Sequence, residues 1–165
     1  MSARLAAALV SGFLFSASSA IAQILPPGEE PPPARGTLQT ISPAEIRRIL
    51  QDIDLKSEVT KIGEQPALRV PNWRTYDVYI VFRDCKSDVC QALEMDTLLK
   101  TPDFVNLRWV NKWHQKWAYA RITLQDKKRF IFQMFVNCQG GVTRDNIIAN
   151  LRMYDAQLGN LFGKK

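Results

Sequence analysis

From residue 41 onward the apolar side chains recur with two different periods, and each change of period marks a change of element. Ser42-Pro43-Ala44-Glu45 opens the pattern. Ser at the N-cap, Pro in the first turn and Glu three residues after the Ser form a capping box, with Ile41 and Ile46 placed to staple the entry. A helix over 43–53 follows, with Ile46, Leu50 and Ile53 on one face. The period then becomes two. Strands are expected at 57–62 and 67–70 around the loop Gly63-Glu64-Gln65-Pro66, and Pro71-Asn72 leads into a strand at 75–84. In that strand Tyr76, Val78, Ile80 and Phe82 share one face, and Asp77, Tyr79, Val81 and Arg83 the other.

A further strand is expected at 89–98, then a helix at 102–114 capped by Thr101-Pro102-Asp103, with Phe104, Leu107, Val110 and Trp113 as its apolar face. Strands at 117–124 and 129–137 flank the turn Gln125-Asp126-Lys127-Lys128. Phe130, Phe132, Met134, Val136 and Cys138 line one side of the second, an apolar ladder that must be buried. Gly140-Gly141-Val142 ends the sheet. Thr143 caps a last helix at 144–161 carrying Ile147, Leu151, Tyr154, Leu158 and Leu161. The order αββββαββα, with neighbouring strands joined by hairpin-length loops, is an α+β layout: an antiparallel or mixed sheet with helices packed on one face.

The first 40 residues are different material. Residues 1–22 hold one charge, Arg4, followed by the apolar stretches 5–10 and 13–15 and the small residues that lead to Ala20-Ile21-Ala22. A basic start, a short apolar centre and an A-x-A site are what signal peptidase reads, so cleavage is expected between Ala22 and Gln23. No Cys follows that site, so no lipid anchor is expected, and the centre is too short to remain as a stable membrane insertion. The mature chain is expected in the periplasm or secreted. Residues 23–40 are a linker whose Pro26, Pro27, Pro31, Pro32 and Pro33 forbid helix and favour an extended spacer. One folded domain occupies 41–165.

Composition changes this picture little. The chain has 165 residues, 22 Lys+Arg against 16 Asp+Glu and a net charge of +6, which falls to +5 without residues 1–22. A full (β/α)₈ barrel needs about 200 residues or more and is excluded by length. The basic residues are scattered, apart from Lys127-Lys128-Arg129 and the terminal Lys164-Lys165, so no nucleic-acid partner is expected.

Three cysteines carry more information. If Cys85 and Cys90 face each other across an antiparallel pair, the register is fixed: Phe82 meets Leu93 and Ile80 meets Met95 on one face, while Arg83 meets Ala92, Val81 meets Glu94 and Tyr79 meets Asp96 on the other. Apolar pairs then fall on one side of the sheet without adjustment. Directly opposed residues lie within disulfide reach, and an oxidising compartment favours the bond. The other chemistry for this spacing is a redox pair, which usually takes the form C-x-x-C at a helix start, or a metal pair, which lacks two further ligands. Cys138 shares parity with the apolar ladder and reads as a buried thiol.

His114 is the sole histidine, so His-rich metal sites are excluded, and no G-x-S-x-G elbow accompanies it. No metal or cofactor is expected. Gly159-Asn160-Leu161-Phe162-Gly163-Lys164 has one residue too few between its glycines for a P-loop. Gly140-Gly141 before Thr143 allow a tight strand-to-helix turn. Trp113 and Trp117 are placed for packing, and Trp109 for contact with a partner.

Val110-Asn111-Lys112-Trp113, Ala120-Arg121 and above all Gly140-Gly141-Val142-Thr143-Arg144-Asp145-Asn146 resemble the YbjN family, bacterial proteins usually labelled sensory transduction regulators. The stretch from Tyr76 to Cys85, with Cys90 after it, is similar to a cysteine-containing variant of that family. The resemblance covers about residues 42–162 and marks Asn111, Trp113, Gly140, Gly141 and Asn146 as motif residues. It implies a fold like that of type III secretion chaperones, a tendency to dimerise, and no established catalytic residues. Where the family has Asn after the Trp of the second helix, this chain has His114. The resulting expectation is a non-enzymatic, chaperone-like or regulatory module that engages another envelope protein. The alternative is a thiol–disulfide oxidoreductase using Cys85 and Cys90; a hydrolase using His114 ranks last, having no substrate to propose.

Overall fold

Ser42 starts the first helix in the expected way: its hydroxyl accepts from Glu45 N at 3.2 Å, Pro43 sits in the first turn, and α1 runs Pro43–Asp52. In the computed structural model of the chain the described residues are 36–38 and 41–162. The expected signal peptide, the linker other than Gly36, Thr37 and Leu38, and the terminal lysines lie outside them.

β2 (Glu58–Ile62), β3 (Gln65–Trp73), β4 (Tyr76–Arg83), β5 (Ala92–Lys100), β6 (Arg121–Leu124) and β7 (Arg129–Asn137) form one six-stranded antiparallel sheet in the order β2-β3-β4-β5-β7-β6. Two short strands, β1 (Thr37–Leu38) and β8 (Val142–Thr143), pair separately and add to the expected order. The other helices are α2 (Leu107–Lys116) and α3 (Arg144–Gly159). The fold is α+β.

The β4–β5 register is the one the cysteines require: Phe82 faces Leu93, Ile80 faces Met95 and Tyr79 faces Asp96. Because parity propagates across a sheet, this register aligns Leu68 with Ile80, Met95 with Met134, Leu99 with Phe130 and Ile122 with Phe132, all on one face. That face receives Ile46, Ile49 and Leu50 from α1, Val110 and Trp113 from α2, and Ile147, Leu151, Tyr154 and Leu158 from α3, in one continuous core. Each such side chain contributes roughly 1.5–3 kcal/mol on burial. Thr97 is the polar member of the apolar row. Its hydroxyl lies 2.7 Å from Tyr154 Oη, which also donates to Phe132 O at 3.3 Å, so burial leaves neither hydroxyl orphaned.

Several boundaries differ from the sequence reading. The second helix begins at Leu107 and not 102, because Asn106 is the cap: its Oδ1 accepts from Trp109 N at 3.0 Å, while Thr101 to Val105 make a separate turn closed by Val105 N to Pro102 O. Phe104 and Leu107, expected on the buried face, are therefore exposed, and Val110 and Trp113 alone bury on α2. Pro71 and Asn72 do not break the third strand. A bulge between Val70 and Trp73, with Asn72 at φ 57°, carries β3 past the proline, whose missing N–H would otherwise cost a ladder bond. The hairpin loop before it shortens to Gly63-Glu64, since Ile62 pairs directly with Gln65. The strand expected at 89–98 is β5, shifted to Ala92–Lys100, and β6 starts at Arg121 because Trp117 closes α2.

Candidate functional site

The hairpin joining β4 and β5 is closed by the Cys85–Cys90 disulfide, with Asp84 and Ser87 in left-handed conformations at the turn. Cys90 has no exposed surface. Its backbone exchanges two hydrogen bonds with Ile41, at 3.0 and 2.8 Å, which ties the start of the domain to this hairpin. Cys138 is a free, buried thiol whose ionisation burial pushes up to about 11.

The motif residues of α2 and α3 do not converge on one site. Gly140 and Gly141 hold φ of 80° and 98°, and a Cβ on Gly141 would collide with Thr37 Cγ2, so the second glycine is required by the passing β1 strand. Asn146 N donates to the Thr143 hydroxyl at 3.1 Å, and Asn146 Oδ1 accepts from Asn150 Nδ2, which secures the start of α3. Asn111 is exposed on the outer side of α2. His114 Nε2 accepts from Ile122 N at 3.0 Å and so ties α2 to β6.

Trp113 is buried between Trp109, stacked at 5.9 Å, and Trp117 at 5.5 Å, with the edge of Phe132 at 6.0 Å. Trp109, expected at a partner surface, is half-buried, with Phe104 against its edge at 6.1 Å. Among the described residues no group of three His, Cys, Asp or Glu side chains is arranged to hold a metal ion.

The sheet has a second face, opposite the helices. Here Arg83 pairs with Glu94, Glu94 accepts from Gln133 at 2.6 Å, and Gln133 accepts from the Thr123 hydroxyl at 2.9 Å, a polar chain across four strands. Asp96 lies between Tyr79 on β4 and Gln133 on β7. Its Oδ1 is buried without a hydrogen-bond partner. Burial, and then the nearby Glu94 charge, raise its carboxyl from 3.8 to about 6, with Arg83 opposing. On the same face Leu98 is 52% and Phe135 48% exposed. Sequence reasoning placed Asp96 opposite Tyr79 but missed its burial, which depends on side chains from three strands.

An α+β domain built on a six-stranded antiparallel sheet, with the described helices packed on one face and none of them on the other, is thus the class of protein defined here. Residues 42–162 match the family described as "YbjN: Putative bacterial sensory transduction regulator", and the chain belongs to that family. Among solved structures it is similar to the one described as "Crystal structure of YbjN, a putative transcription regulator from E. coli", with a TM-score of 0.52 and 14% identity. The match covers 69% of this chain and 83% of that one, and at this identity the likeness is one of fold. No curated protein sequence gives a match.

Proposed function

We propose that the protein is an exported, non-enzymatic binding module that holds a segment of another envelope protein on the open face of its sheet. The observation that carries this reading is Asp96, whose buried Oδ1 lacks a donor, beside the exposed Leu98 and Phe135. A buried acceptor without a partner costs about 1–3 kcal/mol, so folding alone does not account for it, and the exposed apolar side chains around it offer area to a partner. The signal-peptide pattern of residues 1–22 and the Cys85–Cys90 disulfide support an extracytoplasmic setting. The complete burial of Cys90 supports a structural role for that disulfide over thiol exchange.

A photo-crosslinking residue placed at Leu98 or Phe135 in intact cells tests the proposal. The expected result is one defined heterologous adduct from both positions, absent from a control at the exposed Gln51 of α1 and lost when Asp96→Lys is added. The absence of a specific adduct from Leu98 and Phe135 across growth conditions would overturn it.

A further inference from the structure

On the helical side of the molecule, α2 contains no acidic residue and presents Arg108, Lys112 and Lys116 four residues apart, all exposed and none in an ion pair among the described residues. That spacing stacks the three cations along one stripe of the helix. Beside the stripe runs the tryptophan series, with Lys116 Nζ 5.2 Å from the Trp117 ring. At the N-terminal end of the helix Phe104 is 54% and Leu107 70% exposed, and Phe104 also meets Phe162 edge-on at 6.2 Å. The turn between β6 and β7 adds Lys127 and Lys128, both exposed, across a shallow groove of about 510 Å³ that Leu107, Leu124 and Lys127 help to line. The one acid in that turn, Asp126, is exposed but already paired: it accepts from Lys128 N at 2.7 Å and forms an ion pair with Arg129.

We infer that this α2 edge docks the protein on an anionic lipid bilayer, with Arg108, Lys112 and Lys116 on headgroup phosphates and Phe104 and Leu107 entering the interface. Charge complementarity selects the occupant. Cations free of internal partners, level with protruding aromatic and aliphatic side chains, match a sheet of negative headgroups over hydrocarbon, where aromatic rings also settle. An acidic protein would need pockets for its anchoring side chains, and the cations here stand on the convex outer side of a helix and on a turn. The contact is peripheral, since no described helix is long and apolar enough to cross a membrane. It lies on the side of the sheet opposite Asp96, so lipid docking and partner binding do not compete.

Co-sedimentation of the chain from Gln23 onward with phosphatidylglycerol/phosphatidylcholine vesicles, against pure phosphatidylcholine, tests the inference. Binding is expected to the anionic vesicles only, and to weaken severalfold between low and physiological salt. The triple variant Arg108→Gln, Lys112→Gln, Lys116→Gln should weaken it at least tenfold, and Phe104→Ser severalfold with the charge unchanged. Arg47→Gln, Arg48→Gln, Lys56→Gln removes equal charge elsewhere and should retain most of the affinity. All these positions are exposed, and matched thermal melts check that the variants are folded. Equal loss in both triple variants, or no binding of the unmodified chain to anionic vesicles, would overturn the inference; neither outcome bears on crosslinking at Leu98 and Phe135.

Discussion

The indole Nε1 of Trp73 donates to Asp155 Oδ1 at 2.9 Å, which joins the end of β3 to α3 across 82 positions of sequence. Arg74, at φ 50°, grips the same carboxylate with its guanidinium, including a bond to Oδ2 at 2.6 Å. The Trp73 ring also meets Tyr154 edge-on at 5.9 Å. The left-handed Arg74 is thus held in place by a charged clasp on the last helix, and the β3–β4 turn and α3 should loosen together.

Hydrogen bonds from Arg74, and then from Trp73, hold the Asp155 carboxyl below its ordinary 3.8, against the opposing effect of burial. A depressed carboxyl stabilises the fold above the unfolded value and loses that contribution as pH falls through the folded one. Asp155→Asn should therefore cost about 1 kcal/mol at pH 7, the figure being small because Arg74 is half exposed. It should also flatten the decline of stability below about pH 4. Urea midpoints measured at intervals from pH 6 to pH 2 check both.

Asp96 has the opposite sign. Its folded value of about 6 lies above the unfolded one, so the folded state holds the extra proton and stability falls as pH rises from about 4 to 6. Asp96→Asn should raise the urea midpoint at pH 7 by the equivalent of about 1 kcal/mol after solvent screening, and remove the slope in that window. An unchanged slope would mean that Asp96 is not the group responsible.

Gly140 and Gly141 both have positive φ, but an added Cβ meets nothing within 4 Å at Gly140 and the Thr37 side chain at Gly141. Gly140→Ala should cost about 1 kcal/mol from backbone conformation alone, and Gly141→Ala about 2 kcal/mol or more. Hydrogen exchange at Leu38 and Val142 should speed up in the second variant and not in the first. Equal effects of the two substitutions would show that β1 does not press on the turn.

Cys85→Ser opens the hairpin loop without exposing the core. In the chain-entropy view so small a loop stabilises by roughly 2 kcal/mol, so the variant should stay folded and melt earlier. Denaturation of the unmodified protein with and without reductant gives the same difference by an independent route. Complete unfolding on reduction would show that the Ile41–Cys90 bridge depends on the bond.

The elements whose signals are local were legible in the sequence. The Ser42 and Thr143 caps, β7, and the β4–β5 register deduced from Cys85 and Cys90 need only a few neighbouring residues to specify them, and the family motifs lie in such segments. Tertiary structure decided the rest, for identifiable reasons. Asn106 competes with Thr101 as a cap, and packing of Val110 and Trp113 onto the sheet selects the later start, which leaves Phe104 and Leu107 outside. A bulge carries β3 past Pro71, which local propensity reads as a break. Asp96 has an ordinary strand position in the sequence. Only pairing with β4 and β7 buries one of its oxygens, because burial is a property of neighbours distant along the chain.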